Sequence, residues 1–256
     1  MTACDFLASK TGLSKMKIKD AMNKGAVWIK KKGKLHRLRK ATTQLQAGAH
    51  IELHYDAGLL SLVPPKPVLI DDQAHYSAWR KPAGLMAQGT LFGDHCSLLR
   101  QAELFFHMTR PVFLVHRLDR ESDGIMLIAH SKEAAAKLSA LFQQKEIVKE
   151  YRVEVLGILG EQDAKGTLDL PLDGKPAVTD YVVLSHDLQK NTSTMSAFIK
   201  TGRLHQIRRH FDMVGHPVMG DPRYGKENKN KEGMKLTAVS LNFRCPFTRR
   251  NVEFRV

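Results

Sequence analysis

The stretch VFLVHRLDRESDGIMLIAHS, residues 112–131, sets two apolar runs on either side of the charged segment HRLDRESDG (116–124). Short apolar runs bounded by polar and turn residues read as buried strands. The segment between them therefore displays carboxylates at the edge of a core. Pattern alone leaves two readings open. The segment is either a plain turn in which Asp119 and Asp123 satisfy backbone donors, or a loop that presents a carboxylate for chemistry.

Outward from this loop, the chain from Val68 onward carries more β-like runs, among them EYRVEVLG (150–157) and YVVLS (181–185), with fewer helices between them. A strand-dominated α+β unit is expected. One helix is signalled after Ser131 as N-cap, with Glu133 in its first turn and Ala134, Ala136, Leu138, Leu141 and Phe142 supplying propensity and an apolar side. A second is predicted from about His205 to Val214, stopped by Gly215 with Pro217 beyond. NKNKEG, residues 228–233, reads as an exposed loop, and no internal repeat occurs.

The beginning of the chain has a different character. Residues 1–40 hold 12 Lys/Arg against 2 Asp, so this short stretch carries most of the net charge of +14. A field of that sign favours a polyanion through phosphate contacts and counterion release. Nucleic acid is the expected partner, with a generally basic, solvated surface as the alternative. Two short helices are predicted over 4–11 and 14–24, the second capped by Ser14 and stopped by Gly25. Short strands follow around Lys32-Gly33 and over 51–53, with Gly48 in the turn before the last. Pro64, Pro65 and Pro67 mark 57–67 as a stiff linker.

Other classes are disfavoured. No apolar run approaches the roughly 20 residues that would cross a bilayer. The start MTACDFLASKTGLSKMK lacks a continuous apolar core with a cleavage site, so a cytoplasmic protein is expected. Cys4, Cys96 and Cys245 are scattered without a CxxC pair and read as reduced thiols. The 12 histidines show no ligand spacing, and no metal is expected. No obligate protein partner is implied, and a monomer is the default.

Within this frame, His116-Arg117-Leu118-Asp119-Arg120-Glu121, followed by Gly124 and an apolar run, resembles the catalytic loop of the ribosomal large-subunit pseudouridine synthase A/C/D family. The likeness spans residues 68–256, because Lys81-Pro82-Ala83-Gly84, Lys149-Glu150-Tyr151-Arg152-Val153, TGRLHQIRRH (201–210) and GHPVMGDPRYG (215–225) follow in the family's order. It implies a mixed, mainly antiparallel-sheet catalytic domain with Asp119 as the catalytic carboxylate. Arg208 is implied as its ion-pair partner, a cation that favours the charged carboxylate; phosphate binding alone is the other reading. Tyr151 is implied to stack on the uracil and, secondarily, to help a proton leave carbon 5 through its hydroxyl, against the reading of an ordinary core aromatic. Leu236 and Ala238 are implied to line the base pocket, although Thr237 stands where a His is common. Asp123 replaces a small hydroxyl residue and is expected to shift substrate preference. His116 and Arg117 are expected to shape the loop and contact the RNA backbone. Arg203, His205, Gln206 and Arg209 crowd a helix start, where anions are favoured, and are expected to touch RNA.

GLSKMKIKDAMNKGAVWIKKKGK (12–34) and LQAGAHIELHY (45–55) resemble the ribosomal protein S-four type RNA-binding domain over residues 1–56. That resemblance implies RNA contacts from Lys15, Lys17, Lys19, Lys30, Lys31 and Lys32. The whole implies an isomerase converting uridine to pseudouridine in structured RNA, ribosomal RNA before transfer RNA. The reaction is redox-neutral and needs no cofactor, consistent with the absence of GxGxxG and Walker motifs. The rival is a non-catalytic RNA-binding or ribosome-associated factor that keeps the fold. A metal-dependent nuclease is a third reading, but Asp119, Glu121 and Asp123 make a poor cation cage beside Arg117 and Arg120.

Overall fold

A computed structural model describes residues 1–256. Helix α1 (Ala3–Thr11) starts at Thr2, whose side chain accepts from the Asp5 amide, and ends at Gly12 in the left-handed conformation. Helix α2 (Lys15–Asn23) is capped by Ser14 in the same way. Strands β1 (Val27–Lys31) and β2 (Lys34–Arg37) form a hairpin around Lys32-Gly33. Both turn residues have positive φ, the geometry that matches hairpin twist. Strand β3 (Ile51–Leu53) pairs with the other edge of β1. Cys4, Leu7, Ile18, Met22, Val27 and Ile29 form the small core beneath.

Residues 57–61, expected as the start of a linker, form helix α3 (Ala57–Ser61), with Asp56 as its cap. Leu60 packs on Ala21 and Ala26, so this turn belongs to the N-terminal unit. The unit is fastened to the rest of the chain at one place. Arg37 and Arg39 converge on Asp94, and Trp28 Nε1 donates to the Leu91 carbonyl at 2.9 Å.

The remainder is organised by one mixed sheet. Its strands are β4 (Val68–Asp72), β5 (Tyr76–Lys81), β6 (Phe113–Leu114), β7 (Asp123–Ala129), β8 (Val148–Leu156), β9 (Lys165–Asp169), β10 (Val178–Asp187), β11 (Thr192–Ile199), β12 (Leu236–Arg244) and β13 (Asn251–Arg255). They run in the order β4-β5-β7-β12-β8-β11-β10-β9, with β6 on β7 and β13 on β12. All pairs are antiparallel except β7 with β12, which touch through only two residue pairs, Asp123 with Thr237 and Gly124 with Ala238. This seam joins the two halves of the sheet.

Helices cover both faces. Strand β7 shows why its sequence is uniformly apolar: Ile125, Leu127 and Ala129 enter one core, and Met126 and Ile128 enter the other. Each such side chain contributes about 1.5–3 kcal/mol by burial. Helix α5 (Lys132–Gln143) packs Ala134, Leu138 and Leu141 on the first face, as its sequence predicts. Helix α6 (Gln206–Met213) packs Ile207 and Phe211 on the other. Helix α4 (Leu98–Phe105), capped by Ser97, lies outside the expected elements; it buries only Leu98 and Ala102, too short an apolar signature to read. The 228–233 loop also departs from expectation at one residue. Asn228 is fully buried, and its side-chain amide donates to the Tyr224 carbonyl at 3.0 Å.

Gly124 sits at the seam with φ +128°, and a Cβ there would overlap the backbone of Ala238. Gly124→Ala should cost about 1–3 kcal/mol from overpacking alone, with backbone strain added. A thermal unfolding midpoint equal to that of the wild type would show that the seam tolerates separation.

Candidate active site

Asp119 lies in the loop between β6 and β7, four residues before the seam. Its backbone is held from beneath by Lys81, a fully buried residue whose ammonium donates to four carbonyls: Pro82, Leu85, Arg120 and Ser122. Burial pushes this ammonium down to about 8, while the carboxylates of Asp123, Asp119 and Glu121 oppose the shift. The Gly84 amide adds a bond to the Arg120 carbonyl at 2.7 Å. The carboxylate-bearing loop is thus tied to the turn after β5.

The Asp119 side chain meets Arg208 of α6 with Oδ2 at 2.9 Å from Nη1. Arg208 is 2% exposed, and its other edge is gripped by Asp221, Nε to Oδ2 at 2.6 Å and Nη2 to Oδ1 at 2.8 Å. Asp221 is itself fully buried and accepts from the amides of Arg223 and Tyr224. Burial alone would lower the Arg208 pKa, but the bonds to Asp221 and Asp119 outweigh it and hold the guanidinium charged. Burial works the other way on Asp221, yet Arg208 and the two amides keep its pKa below the usual carboxylate range. Tyr224 stacks over the guanidinium at 5.2 Å.

A cleft of about 280 Å³ opens above this ion pair, walled by Asp119, Tyr151, Arg208, Leu236, Leu204 and Ile199 among others. That is the small end of the range for ligand clefts, suited to one ring system rather than an extended ligand. Tyr151 on β8 is largely buried and packs with Leu236 and Ala238 of β12. Burial, reinforced by the Asp119 carboxylate, raises its phenol pKa well above the usual range. Its hydroxyl therefore remains protonated, and the residue forms part of the cleft wall.

The structure brings together Asp119, Tyr151, Arg208, Arg117, Leu236, Arg203 and His205 around this cleft. Other residues expected to touch RNA have side chains engaged within the protein. His116 does not reach outward as a cation: its Nε2 accepts from the Leu127 amide at 2.9 Å, it stacks on Phe142, and burial pushes it down to about 3. Gln206 is 4% exposed, and its amide is spent on the preceding loop, accepting from Thr201 Oγ1 and the Arg203 amide and donating to the Val178 carbonyl and Thr179. Those bonds help hold His205 in the left-handed region at φ 52°, where a non-glycine residue costs about 1–2 kcal/mol. His205 in turn bonds Tyr224 through Nδ1 and places Nε2 at 3.8 Å from Asp119. Arg209 is occupied by Asp173 in a two-bond pair. Asp123 forks to Arg80 of β5 and does not line the cleft, so its expected effect on substrate preference has no geometric support.

In the N-terminal unit, Lys30, Lys31 and Lys32 stand exposed at the hairpin tip. Lys15 is paired with Asp5 at 2.6 Å. Lys17 and Lys19 are exposed, but on a helix Lys17 projects away from the side shared by Lys15 and Lys19.

The roles of Asp221 and Lys81 leave no signal in the sequence, although both lie in the motifs GHPVMGDPRYG and Lys81-Pro82-Ala83-Gly84. Removing one member of a buried pair strands the other charge, at about 3–5 kcal/mol. Asp221→Asn should therefore lower the unfolding free energy measured by denaturant titration by that amount. A loss below about 0.5 kcal/mol, the size of an ordinary surface change, would show that Asp119 alone suffices to hold Arg208.

Residues 75–213 match the family model described as RNA pseudouridylate synthase. An uncharacterized RNA pseudouridine synthase of Mycoplasma pneumoniae is 28% identical over 276 residues, covering 97% of this chain and 86% of that one. The tRNA pseudouridine synthase C of Haemophilus ducreyi is 34% identical over 194 residues, 64% of this chain and 76% of that one. Among solved structures, human RNA pseudouridylate synthase domain containing 1 superposes with a TM-score of 0.63 at 23% identity, covering 74% of this chain and 82% of that chain, a likeness of fold. The chain belongs to the RNA pseudouridine synthase family, isomerases that convert uridine to pseudouridine in RNA.

Proposed function

We propose that the protein isomerises specific uridines in structured RNA, ribosomal RNA before transfer RNA, with Asp119 as the carboxylate that performs the chemistry. The observation that carries this reading is the Asp119–Arg208 pair at the wall of a one-ring cleft. A protein that only bound RNA would have no use for a carboxylate there, because it repels phosphate.

In the reaction the bond from the anomeric carbon of ribose to the ring nitrogen breaks, and a bond from that carbon to carbon 5 of uracil forms. Carbon 5 loses its proton and the ring nitrogen gains one, so no cofactor is consumed. Asp119 acts either by attacking the anomeric carbon or as a base on the ribose; the geometry is compatible with both. Arg208 anchors the carboxylate, and Tyr151 stacks on the ring with Leu236 beside it in the same wall, base–aromatic stacking being worth about 1–3 kcal/mol. Tyr151 offers its ring for stacking, and its phenol, raised above the usual range by burial and the Asp119 carboxylate, stands in the same cleft as the proton that leaves carbon 5. A uridine in a stacked helix must leave it to enter, at a cost of a few kcal/mol that phosphate contacts offset.

The N-terminal unit is read as an S-four type RNA-binding module. Its helix pair, its hairpin tip of three exposed lysines and its charge surplus support that reading. The attachment through Asp94 fixes where the module presents RNA.

Pseudouridine mapping of ribosomal and transfer RNA from cells lacking the protein tests the activity. A site restored by the wild type and not by Asp119→Asn is expected; equal restoration by both would remove Asp119 from the chemistry. Replacing Lys30, Lys31 and Lys32 together by Gln should weaken RNA binding and flatten its dependence on salt by about one logarithmic unit per lost contact. An unchanged salt slope would free the hairpin from any part in RNA capture.

A further inference from the structure

A second depression opens beside the Asp119 cleft and shares Arg117, Tyr151, Ile199, Gly202 and Arg203 with it. Its lining includes Arg117, Lys145, Lys149, Lys200 and Arg203, and no Asp or Glu. Two of these cations are already engaged. Lys200 pairs with Asp180 at 2.7 Å, and Arg203 Nε donates to the Pro176 carbonyl at 3.1 Å. Arg117, Lys145 and Lys149 have no hydrogen-bond or ion-pair partner in the protein.

Lys149 is the informative member. It stands on β8 two residues before Tyr151, so both side chains leave the same face of the strand. It is only partly exposed, and burial together with the Lys145 charge pushes its ammonium below the usual lysine range. Unpaired cations crowded on a half-buried surface repel one another, and that repulsion is relieved when an anion arrives. The floor contributes no further charge, since His116 is neutral and stacked on Phe142 at 4.2 Å.

We propose that this trough is a phosphate subsite for the RNA strand flanking the target uridine, with Lys145, Lys149 and Arg117 as its phosphodiester ligands. The proposal rests on reading the Asp119 cleft as the uridine site. A strand leaving that cleft passes Tyr151 and enters the trough through the wall the two share. Continuity with a one-ring cleft selects a polynucleotide over a free anion, because the base and the backbone of one strand occupy adjoining depressions. This surface is built from the sheet and the end of α5, so it grips the substrate independently of the N-terminal unit.

The test uses the full chain and two probes, transcripts of large-subunit ribosomal RNA and of transfer RNA, both unmodified. The dissociation constant is measured between about 50 and 200 mM salt, and KM for pseudouridine formation is measured alongside. For Lys145→Gln with Lys149→Gln, the slope of log affinity against log salt should be shallower by about 1.4, the value for two contacts to a single strand, with KM raised. Lys149→Arg should restore one contact. Lys190→Gln, a change on the exposed β10–β11 turn, serves as the control for general charge loss. A double variant with the wild-type slope and KM, on RNA that the wild type modifies, overturns the subsite alone. A wild type that forms no pseudouridine on either RNA overturns the reading of the cleft, and the subsite with it.

Discussion

One guanidinium organises this site. Arg208 is almost wholly buried, held by two bonds to Asp221 on one edge and one to Asp119 on the other. A buried cation between two carboxylates is favourable only where every charge is matched and the geometry is fixed. The matching here is unequal. Asp221 is sealed and bonded to two amides as well as to Arg208, whereas Asp119 remains partly open to the cleft. The sealed carboxylate holds the arginine, and the arginine in turn holds the one that faces the cleft.

The rest of the architecture brings those three residues together. Asp119 comes from the loop before β7, Arg208 from α6 and Asp221 from the segment beyond it, and the central seam of the sheet fixes the first against the others. Lys81 performs the corresponding task for the loop backbone, replacing water at four carbonyls that would otherwise be buried with fewer partners. Strain enters at His205, whose left-handed backbone is supported by the buried amide of Gln206. Stability and chemistry meet in the same few side chains, so substitutions there act on both.

Much of this was legible in the sequence because the signals were local. Ser14, Ser131 and Gly215 mark element ends, the lysine-rich hairpin declares itself by charge, and the apolar run after Gly124 reads as a strand buried on both faces. What stayed hidden depended on partners distant in the chain. Asp221, between a glycine and a proline, looks like a turn residue, and its grip on Arg208 exists only after α6 packs. Lys81 binds backbone carbonyls, which leave no trace in residue type. The place of Gln206 and Arg209 at a helix start reads as an RNA contact, while side-chain direction, which residue type does not encode, turns one into the interior and the other to Asp173. The linker prolines were visible, while the short helix before them needed Leu60 to meet Ala21 and Ala26.

The placement of β12 bears on how the molecule comes into being. This strand lies in the middle of the sheet but near the end of the chain, and it joins β7, translated about a hundred residues earlier, to β8. During synthesis, at roughly 5–20 residues per second, β8 waits with the edge that β12 will occupy unpaired, exposed to misassociation. Such long-range closure is slow compared with local folding. A nascent chain therefore lacks the finished cleft until Leu236–Arg244 has emerged from the ribosome, so no shorter N-terminal portion can hold that site.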